Sequence, residues 1–588
     1  MKGKRKESKG AAAAPVSAPR GGAWRYGLAA ALALAIAFQV YAPALNGAFV
    51  FDDAYLPMNS PQLADKGLAD WISGVRPLLM ATYWLNHMLA RSSTFGFHVW
   101  NVLFHVGNAF LLFLVTRRLC QLAGAPVGFA WFAAAVFLLH PMQTESVAYI
   151  AGRSETLSAL FYFAAFALFL YRRTDAVSWR RAAGIFVLLG AALACKEHTV
   201  TLPLLLLLTD YFFNPGFSAA GIRRNWRLHA PVLAGALAGA ALLLKRTLGD
   251  TSAGFSTEGI RWYEYLFTQC KVIWVYVRMF FLPLGQSADY DYPVSRSLAE
   301  PAVLLGLGGL LAATGAAVWL ARRAPLAAYG WLAFLLLLAP TSSVMPIKDP
   351  LVDRRLYLPM LGLLLLVIEG LRRLPVDRKA LGGVMALAAA VFGVLTYQRA
   401  QVWSHPLALW EDTVRKSPHN ARAHFQLAHA YYSAGRCHEA LAAYERVAQL
   451  QKPDHRLLVD WGLAYVCLDQ TEQAVEKLRA AAALEPTAHV YTQIAMAYGK
   501  ANRAAEARQA LEEAQRIDAN YDMTYVYLGH FSLQSDPREA ARLYKKALEL
   551  NPANPVAPQF LVQAEERIRQ QAQPPAAGVT ITPAPAPR

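Results

Sequence analysis

Charge is scarce in this chain: Asp, Glu, Lys and Arg make up only 16% of its 588 residues, against about 25% in an average soluble domain. Hydrophobic residues make up 55%. So little charge beside so much apolar sequence excludes an ordinary soluble globular domain over much of the chain. The composition indicates an integral membrane protein.

Cysteine is also scarce, with five residues, none in a CxxC pair or at metal-ligand spacing. We therefore expect no zinc or iron–sulfur site and no certain cofactor, and the sequence leaves a divalent metal undecided. The net charge of +17 lies largely in short clusters between apolar runs. The positive-inside rule explains such clusters, so we expect no nucleic-acid partner.

The composition changes near residue 400. Before this point, apolar runs of about 16–20 residues recur, each long enough to span a bilayer as a helix. After it, the chain is polar, Ala-rich and helical in period. The predicted parts are a basic cytoplasmic tail 1–25, a transmembrane domain 26–400, a linker helix 401–420, a repeat array 421–555, and a segment 556–588 that finishes the last helix and becomes a Pro/Ala-rich disordered tail.

We expect about eleven membrane spans. Their predicted positions are 26–45, 98–116, 128–140, 156–171, 182–195, 199–213, 230–245, 302–320, 326–341, 357–371 and 380–397. Basic clusters in alternate loops place the N-terminus in the cytoplasm and the repeat array outside, in a periplasm-like space beyond a bacterial inner membrane. Segment 264–284 carries Lys271 and Arg278 inside its apolar run, so we expect it to lie on the outer surface rather than to span.

The region after residue 420 repeats with a period of about 34 residues, which is typical of tetratricopeptide (TPR) repeats. About four repeats start near Ala421, His455, Ala488 and Tyr521, with small and aromatic residues at matching positions. The predicted fold is therefore all-α, a polytopic transmembrane helix bundle followed by a TPR α-solenoid. The first helix of each repeat builds the concave groove of such an array. Groove candidates, each also explicable as an ordinary surface residue, are Arg422, His429, Tyr432, Arg456 and Tyr527.

Cys437 and Cys467 fall on antiparallel helices of adjacent repeats. They can be two small core residues. In an oxidising compartment outside the membrane they can instead form a disulfide.

Polar residues beside apolar spans are functional candidates, and here they gather on the predicted outer side. Asp52 and Asp53 directly follow the first span. The candidates for binding a phosphate and a sugar are Arg76, His140, Glu145, Arg153, Lys196, Glu197, Asp353, Arg354 and Arg355. Basic side chains can hold a phosphate, and a carboxylate can deprotonate a hydroxyl. The alternative is a set of interfacial anchors and loop ion pairs.

Several segments together resemble the transmembrane-and-TPR O-mannosyltransferase-like family, which belongs to the GT-C class of membrane glycosyltransferases. They are NGAFVFDDAYLPMNSP, RPLLMATYWLNHML, FGFHVWNVLFHVGNAFLLFLV, LLHPMQTESVAYIAGRSETLSALFYF, CKEHTVTLPLLLLLTDY, LPLGQSADYDYPVS and DRRLYLPMLGLLLL. The resemblance covers about residues 26–555, including the TPR region. In that family an acidic pair in the first outer loop is read as the catalytic motif, and Asp52-Asp53 occupies this place. Asp353-Arg354-Arg355 stands where Glu-Arg-Tyr is expected, which leaves the roles of these three residues in doubt.

The resemblance implies protein O-mannosylation by a GT-C-like glycosyltransferase. A mannose-like sugar would move, with inversion, from a polyprenyl-phosphate donor to a hydroxyl of a protein acceptor on the outer side. Asp52 or Asp53 would be the general base, with Asp53 preferred. Arg76, Arg153, Lys196 and Arg354 would stabilise the departing phosphate, and the TPR array would dock the acceptor or a partner protein.

Two other function classes stay open, a non-catalytic membrane-anchored TPR scaffold and an oligosaccharide ligase or polymerase. The acidic pair directly after the first span argues against the ligase. If the chain is a transferase, Asp52 and Asp53 should lie at the mouth of an outer-facing cavity. His140, Glu145, Arg153 and one of Lys196, Arg354 or Arg355 should line it, because base and cations must converge on one donor. The competing view is that the acidic pair only caps the first outer helix.

Overall fold

A computed structural model of the protein describes residues 23–60, 63–91, 93–247, 254, 257 and 259–572. The chain divides into two compact units, Met1–Lys416 and Ser417–Arg588. Helices joined by turns build both units, and these described ranges contain no strand. This confirms the predicted all-α class. The basic N-terminal tail, apart from its last residues, and the Pro/Ala-rich C-terminal tail lie outside the described residues.

The membrane unit is a bundle of long and short helices. In chain order they are α1 (Ala23–Tyr41), α2 (Leu68–Trp71), α3 (Pro77–Ala90), α4 (Thr94–Leu122), α5 (Phe129–Leu139), α6 (Thr144–Ala148), α7 (Arg153–Leu170), α8 (Trp179–Leu193), α9 (Leu202–Phe213), α10 (Ala220–Arg224), α11 (Trp226–Thr247), α12 (Trp262–Phe281), α13 (Pro301–Leu320), α14 (Pro325–Leu338), α15 (Met360–Leu371), α16 (Arg378–Val402) and α17 (Pro406–Lys416). Short 3₁₀ turns at Phe51–Tyr55, Pro141–Gln143, Glu197–Thr201 and Asp353–Leu356 connect several of them.

Helix length decides which of these helices can cross a bilayer unaided. Within the described residues, five helical segments are long and apolar enough: Trp24–Ala44, Thr94–Leu122, Arg153–Leu170, Pro301–Leu320 and Arg378–Val402. Each overlaps a predicted span. The remaining predicted spans also coincide with helices, but α5, α14 and α15 have only 11, 14 and 12 residues. The five long helices support a membrane protein, and the count of about eleven spans stays a prediction.

Glycine allows a close helix contact in the membrane unit, between α14 and α15. A Cβ added to Gly330 would lie 2.5 Å from the carbonyl oxygen of Gly362, closer than real contacts permit. The two helix backbones therefore touch, which is how helices pack where no water drives them together. Each of α13 and α14 begins with a proline, whose missing N–H costs nothing in the first turn.

Helix α12 contains most of segment 264–284 and is not one of the five long apolar helices. It packs closely on α13, because the indole Nε1 of Trp274 donates to the Gly306 carbonyl at 2.9 Å. A Cβ at Gly306 would also clash with the backbone of Cys270. Its predicted place on the outer membrane surface stays a prediction.

The second unit consists of four helical hairpins and a final helix. The hairpins are α18 (Ala421–Ser433) with α19 (Cys437–Leu450), α20 (His455–Cys467) with α21 (Thr471–Leu484), α22 (Ala488–Lys500) with α23 (Ala504–Ile517), and α24 (Asp522–Ser532) with α25 (Pro537–Leu550), followed by α26 (Ala557–Ala572). The predicted repeat starts coincide with the starts of α18, α20 and α22 and precede α24 by one residue. The predicted solenoid is therefore confirmed.

Local sequence explains both the start of the hairpins and their packing. The side chains of Asn420, Asp454 and Thr487 each accept a hydrogen bond from a backbone N–H in the first turn of the following helix, which stabilises that helix end. Inside the fourth hairpin, a Cβ on Gly529 would lie 2.6 Å from the ring of Tyr544. Small residues thus let paired helices approach, and buried aromatic rings fill the space between them.

Cys437 and Cys467 form a disulfide, and their Cα atoms lie 6.3 Å apart. The bond joins the start of α19 to the end of α20, so it links the first hairpin to the second. The other three cysteines, Cys120, Cys195 and Cys270, are buried and free in the membrane unit. Of the two alternatives for this pair, the structure therefore has the disulfide.

We expect this disulfide to stabilise the solenoid by about 3.7 kcal/mol, because the cysteines are 30 residues apart and the bond closes a loop in the unfolded chain. Replacing both with alanine should lower the thermal midpoint of the array in the full-length protein. A reducing agent should lower the midpoint of the wild type and leave the Cys437→Ala/Cys467→Ala variant unchanged. Equal sensitivity of the two proteins to the reductant would contradict the assignment.

Candidate functional site

The acidic pair lies in the 3₁₀ turn Phe51–Tyr55, just after the first long helix, and its two carboxylates have opposite surroundings. Asp53 is 0% exposed. Its Oδ1 accepts a hydrogen bond from the Ala151 N–H at 2.8 Å, and its Oδ2 accepts one from the Val50 N–H at 3.1 Å. Asp52 is exposed. Asp53 therefore fixes the turn to the chain before α7, and Asp52 presents a carboxylate to the surface.

Burial raises the pKa of Asp53 to about 8, while the N–H groups of Val50 and Ala151 act to lower it. The predicted capping role is therefore realised by Asp53, which caps its own turn and also holds a distant loop. Mutual repulsion between the two carboxylates contributes to the raised pKa, but it ranks behind burial.

Tyr149 connects the acidic pair to the next part of the site. Its hydroxyl accepts a hydrogen bond from the backbone N–H of Asp52 at 2.9 Å. The guanidinium carbon of Arg354 lies 5.8 Å from the centre of the same ring. One aromatic side chain thus contacts both the proposed base segment and a predicted phosphate-binding residue. Sequence reasoning missed Tyr149, which stands among many aromatic residues near spans.

Three ion pairs extend the site over segments distant in sequence. Arg76, before α3, donates from Nε and Nη2 to the two carboxylate oxygens of Glu197, both at 2.9 Å. Lys196 pairs with Glu155 at the start of α7. Arg354 pairs through its guanidinium with Glu145 of α6, which also accepts the Arg354 backbone N–H at 2.9 Å.

The three pairs form one cluster. Lys196 and Glu197 are consecutive residues, which joins the first two pairs. Burial lowers the pKa of Lys196, Glu155 raises it, and the charges of Arg76 and Arg354 act to lower it further. His198 joins the cluster, with its Nε2 3.6 Å from Glu155. The side chains of Arg76, Arg354 and Lys196 are 37%, 29% and 16% exposed, against 3% for Glu145. The cations are thus partly exposed, and a buried carboxylate holds Arg354.

Three predicted site residues have structural contacts instead. Arg153 is 0% exposed, and it donates to the side chains of Asn101 and Asn86 and the carbonyls of Thr82 and Phe97. His140 is also fully buried, between Met142 N and the Phe280 carbonyl. Arg355 donates to the carbonyls of Asp349 and Pro350. All of these contacts lie within the bundle and its loops, so the structure does not support a role for these three side chains in donor binding.

Asp353 belongs to a neighbouring buried network. Its Oδ1 accepts from the Tyr290 hydroxyl at 2.6 Å, and its Oδ2 accepts from the Gln286 amide at 3.0 Å. Burial, reinforced by the nearby charge of Glu145, raises the pKa of Asp353 to about 7. Asp353 therefore supports the site from within and does not face the surface. Gln286 was also missed by sequence reasoning, since a single glutamine in a loop carries no signal.

The predicted groove residues of the array lie on first helices of the hairpins, as the solenoid requires. Tyr432 and Tyr527 are half-buried, and burial raises the pKa of Tyr527, with a smaller contribution from Tyr432. The guanidinium of Arg456 lies 5.0 Å from the ring centre of Phe425, and His429 is exposed. Arg422 is also exposed. Tyr432 of α18 and Tyr527 of α24 both pack against the hydrophobic core that the first three hairpins share.

A pH titration of stability tests the Asp353 network. An unfolded Asp has a pKa of about 3.9, so a folded pKa of about 7 means that the folded state binds the extra proton. This stabilisation is fully present below about pH 4 and is lost as pH rises through about 7.

We therefore expect the stability of the wild type, relative to the Asp353→Asn variant, to fall between about pH 5 and about pH 7, by at most about 1.4 kcal/mol per pH unit. Thermal unfolding of both proteins in detergent across this range measures the difference. Asp65→Asn, an exposed site, is the control and should show no such trend. A stability difference between wild type and Asp353→Asn that does not change with pH would refute the protonation of Asp353 in the folded state.

Comparison with known proteins follows the two units. The Tetratricopeptide repeat family model matches residues 421–454 and 488–521, the first and third hairpins. Protein O-mannosyl-transferase F38B6.6 of Caenorhabditis elegans is 24% identical over 412 residues, covering 66% of this chain and 57% of the relative. Protein O-mannosyl-transferase Tmtc3 of Drosophila melanogaster is 24% identical over 557 residues, covering 81% of this chain and 57% of the relative. Protein O-mannosyl-transferase TMTC3 of Homo sapiens is 21% identical over 547 residues, covering 82% and 58%.

The alignments with the fly and human proteins include both the membrane unit and the repeats, whereas the chain spans less than two thirds of the length of each of these relatives. The resemblance indicated by the sequence motifs is thereby confirmed: over most of its length this chain is similar to TMTC-type protein O-mannosyl-transferases and carries TPR repeats.

Proposed function

We propose that the protein is a membrane glycosyltransferase that moves a mannose-like sugar from a polyprenyl-phosphate donor to a hydroxyl group of a protein acceptor outside the membrane. The observation that carries this proposal is that segments far apart in sequence meet: Tyr149 contacts both the Asp52 turn and Arg354, and Arg354 belongs to a cluster of three partly exposed cations. The names of the relatives support transferase chemistry, and the donor is inferred from the site.

Asp52 is the better candidate for the general base, a change from the preference for Asp53. Both oxygens of Asp53 accept backbone N–H groups, and the side chain is closed to an acceptor. Asp52 is exposed, and its backbone is held by the Tyr149 hydroxyl. A base must reach the proton that it removes within hydrogen-bonding distance, which favours Asp52 and leaves Asp53 as its support.

Arg76 and Arg354 suit the donor phosphate because a guanidinium can bind two anions on different edges. Glu197 occupies Nε and Nη2 of Arg76, which leaves the Nη1 edge for a phosphate oxygen. Lys196 supplies a third cation. In the proposed reaction, the acceptor hydroxyl attacks the anomeric carbon, its proton passes to Asp52, and the bond to the phosphate breaks with inversion. The cations stabilise the departing lipid phosphate.

The TPR array supplies the proposed docking site for the acceptor or a partner protein. Half-buried tyrosines combine apolar area with a hydroxyl and are common at protein interfaces. Tyr432 and Tyr527 have this character.

A non-catalytic scaffold and an oligosaccharide ligase remain the alternatives. A scaffold does not require an exposed carboxylate beside three oriented cations. A ligase would use a lipid-linked oligosaccharide as its donor. A donor test with a single-sugar lipid therefore distinguishes a ligase from the proposed transferase.

Asp52→Asn tests the function. We expect the rate of sugar transfer to fall on the order of 10²–10⁴-fold, because general-base catalysis contributes this much. The exposed side chain makes a folding defect unexpected. The assay supplies polyprenyl-phosphate mannose with labelled sugar and a Ser/Thr-containing peptide mixture, and it measures labelled peptide. Asp65→Asn changes an exposed carboxylate of the same loop and should keep full activity. Full activity of Asp52→Asn would refute the proposed mechanism.

The proposed sidedness puts the N-terminus in the cytoplasm and the TPR array outside. The Cys437–Cys467 disulfide supports this, because disulfides persist in oxidising compartments.

Fusions of paired alkaline phosphatase and green fluorescent protein reporters measure the sidedness directly. We expect cytoplasmic signals after Arg118 and Arg323 and an outside signal after Pro552, since basic clusters mark the inner loops. A cytoplasmic signal at Pro552 would overturn the topology and make the α12 segment a true span.

A further inference from the structure

We infer that Trp410 of α17 is a positioning residue for Asp52 and acts through Phe51. This inference rests on the proposed role of Asp52 as the base. Helix α17 lies in the predicted linker, beyond the membrane domain predicted from the sequence. The linker thus supplies part of the structure that orients the acidic pair.

Phe51 has a backbone conformation that a bulky residue rarely adopts. Its φ angle is +49°, in the left-handed region where a side chain crowds its own backbone. Such strained residues persist only where the surrounding structure fixes them, and they concentrate at functional sites. Phe51 directly precedes Asp52, so its φ and ψ angles set the direction in which the Asp52 carboxylate leaves the turn.

Aromatic rings surround the Phe51 ring. The ring centre of Trp410 lies 4.7 Å from that of Phe51, with the planes inclined at 54°. Tyr149 lies at 5.9 Å and Trp403 at 6.4 Å. Trp410 is only 3% exposed, and its ring is the nearest of the three. We call Phe51, Tyr149, Trp403 and Trp410 the aromatic clamp.

Polar contacts fasten α17 beside the clamp. Asp412, two residues after Trp410, accepts from the Arg399 guanidinium at 2.7 Å and from the Lys416 ammonium at 2.8 Å. Lys416 also donates to the Gln286 carbonyl at 2.7 Å. The Gln286 side chain in turn binds Asp353. The helix that carries Trp410 is therefore tied to α16 and to the Asp353 network, and the ring has little freedom to move.

The turn of the acidic pair is thus held at four points. Asp53 binds two backbone N–H groups, the Asp52 N–H binds Tyr149, and the Phe51 ring packs on Trp410. The two Asp53 contacts hold Val50 and Ala151, and the Tyr149 contact holds the backbone of Asp52. The contact with Trp410 fixes the residue before it, where the backbone is strained. Without that ring, Phe51 can relax to a negative φ, and the Asp52 carboxylate then points elsewhere.

The test compares Trp410→Leu, which keeps apolar volume but removes the aromatic ring, with Trp410→Phe, which keeps a ring. The control is Trp331→Leu. Trp331 is 5% exposed and packs on Trp274 and Phe334 of the bundle. The Trp331→Leu variant therefore loses packing comparable to that lost in Trp410→Leu, but at a position away from Asp52. Each full-length protein is assayed with polyprenyl-phosphate mannose and the peptide mixture, and kcat and donor KM are measured separately.

We expect Trp410→Leu to lower kcat on the order of 10²-fold with donor KM unchanged, because a small misplacement of a reacting group costs this much. Trp410→Phe should restore most of kcat, and Trp331→Leu should keep it. Hydrogen exchange of the peptide spanning residues 48–56 should become faster in Trp410→Leu and not in Trp331→Leu. In the double variant with Phe51→Ala, the two losses should not add, because both residues act through one contact.

A kcat of Trp410→Leu equal to that of Trp331→Leu, or unchanged exchange at residues 48–56, would overturn the inference. This outcome is separate from a failure of the proposed function. If Asp52→Asn is inactive while Trp410→Leu keeps kcat, only the positioning role is wrong. If Asp52→Asn is fully active, Asp52 is not the base, whatever the exchange shows.

Discussion

The organising constraint of the membrane unit is that a charge at the end of an apolar bundle needs a partner, since an isolated buried ion is far too costly. Glu145 and Glu155 are almost fully buried and each holds a cation. Asp53 instead accepts hydrogen bonds from two backbone N–H groups. These pairings tie loops distant in sequence to one another. The cluster proposed as a site is therefore also the structure that fastens these segments together.

Sequence was a good guide wherever the signal is local. Apolar runs, capping residues such as Asp454 and the repeat period belong to single helices or hairpins, and they predicted the helices and the solenoid. Facing directions in the site were not predictable. Arg153 and Glu155 are two residues apart at the start of α7 and so point about 200° apart around the helix. Arg153 enters the bundle and Glu155 contacts Lys196, although the sequence analysis placed Arg153, and not Glu155, among the candidate site residues.

Contacts between residues distant in sequence could not be predicted for a different reason. The roles of Asp52 and Asp53 depend on which of them meets the N–H of Ala151, 98 residues beyond Asp53. The contact between Phe51 and Trp410 joins the first outer turn to the linker helix, and a left-handed phenylalanine has no sequence signature. A boundary drawn from apolar runs at residue 400 therefore separates residues that the fold brings together. The part of the chain after the last long helix contributes to the membrane unit as well as leading to the repeats.

Pairing of the cations also bears on how the proposed site can accelerate a reaction. A lipid-phosphate sugar is a diester with one negative charge, and the phosphate gains a second as the sugar leaves. Arg76 and Arg354 already have one edge neutralised by Glu197 and Glu145, so in the proposed reaction they would hold the monoanionic donor only moderately. The interaction between the free guanidinium edges and the phosphate would strengthen most as the second charge develops on the phosphate. Interactions that strengthen during bond cleavage lower the barrier, whereas equal binding of donor and transition state does not. The carboxylates therefore serve the proposed chemistry by keeping the cations fixed in direction while weakening their hold on the substrate before it reacts.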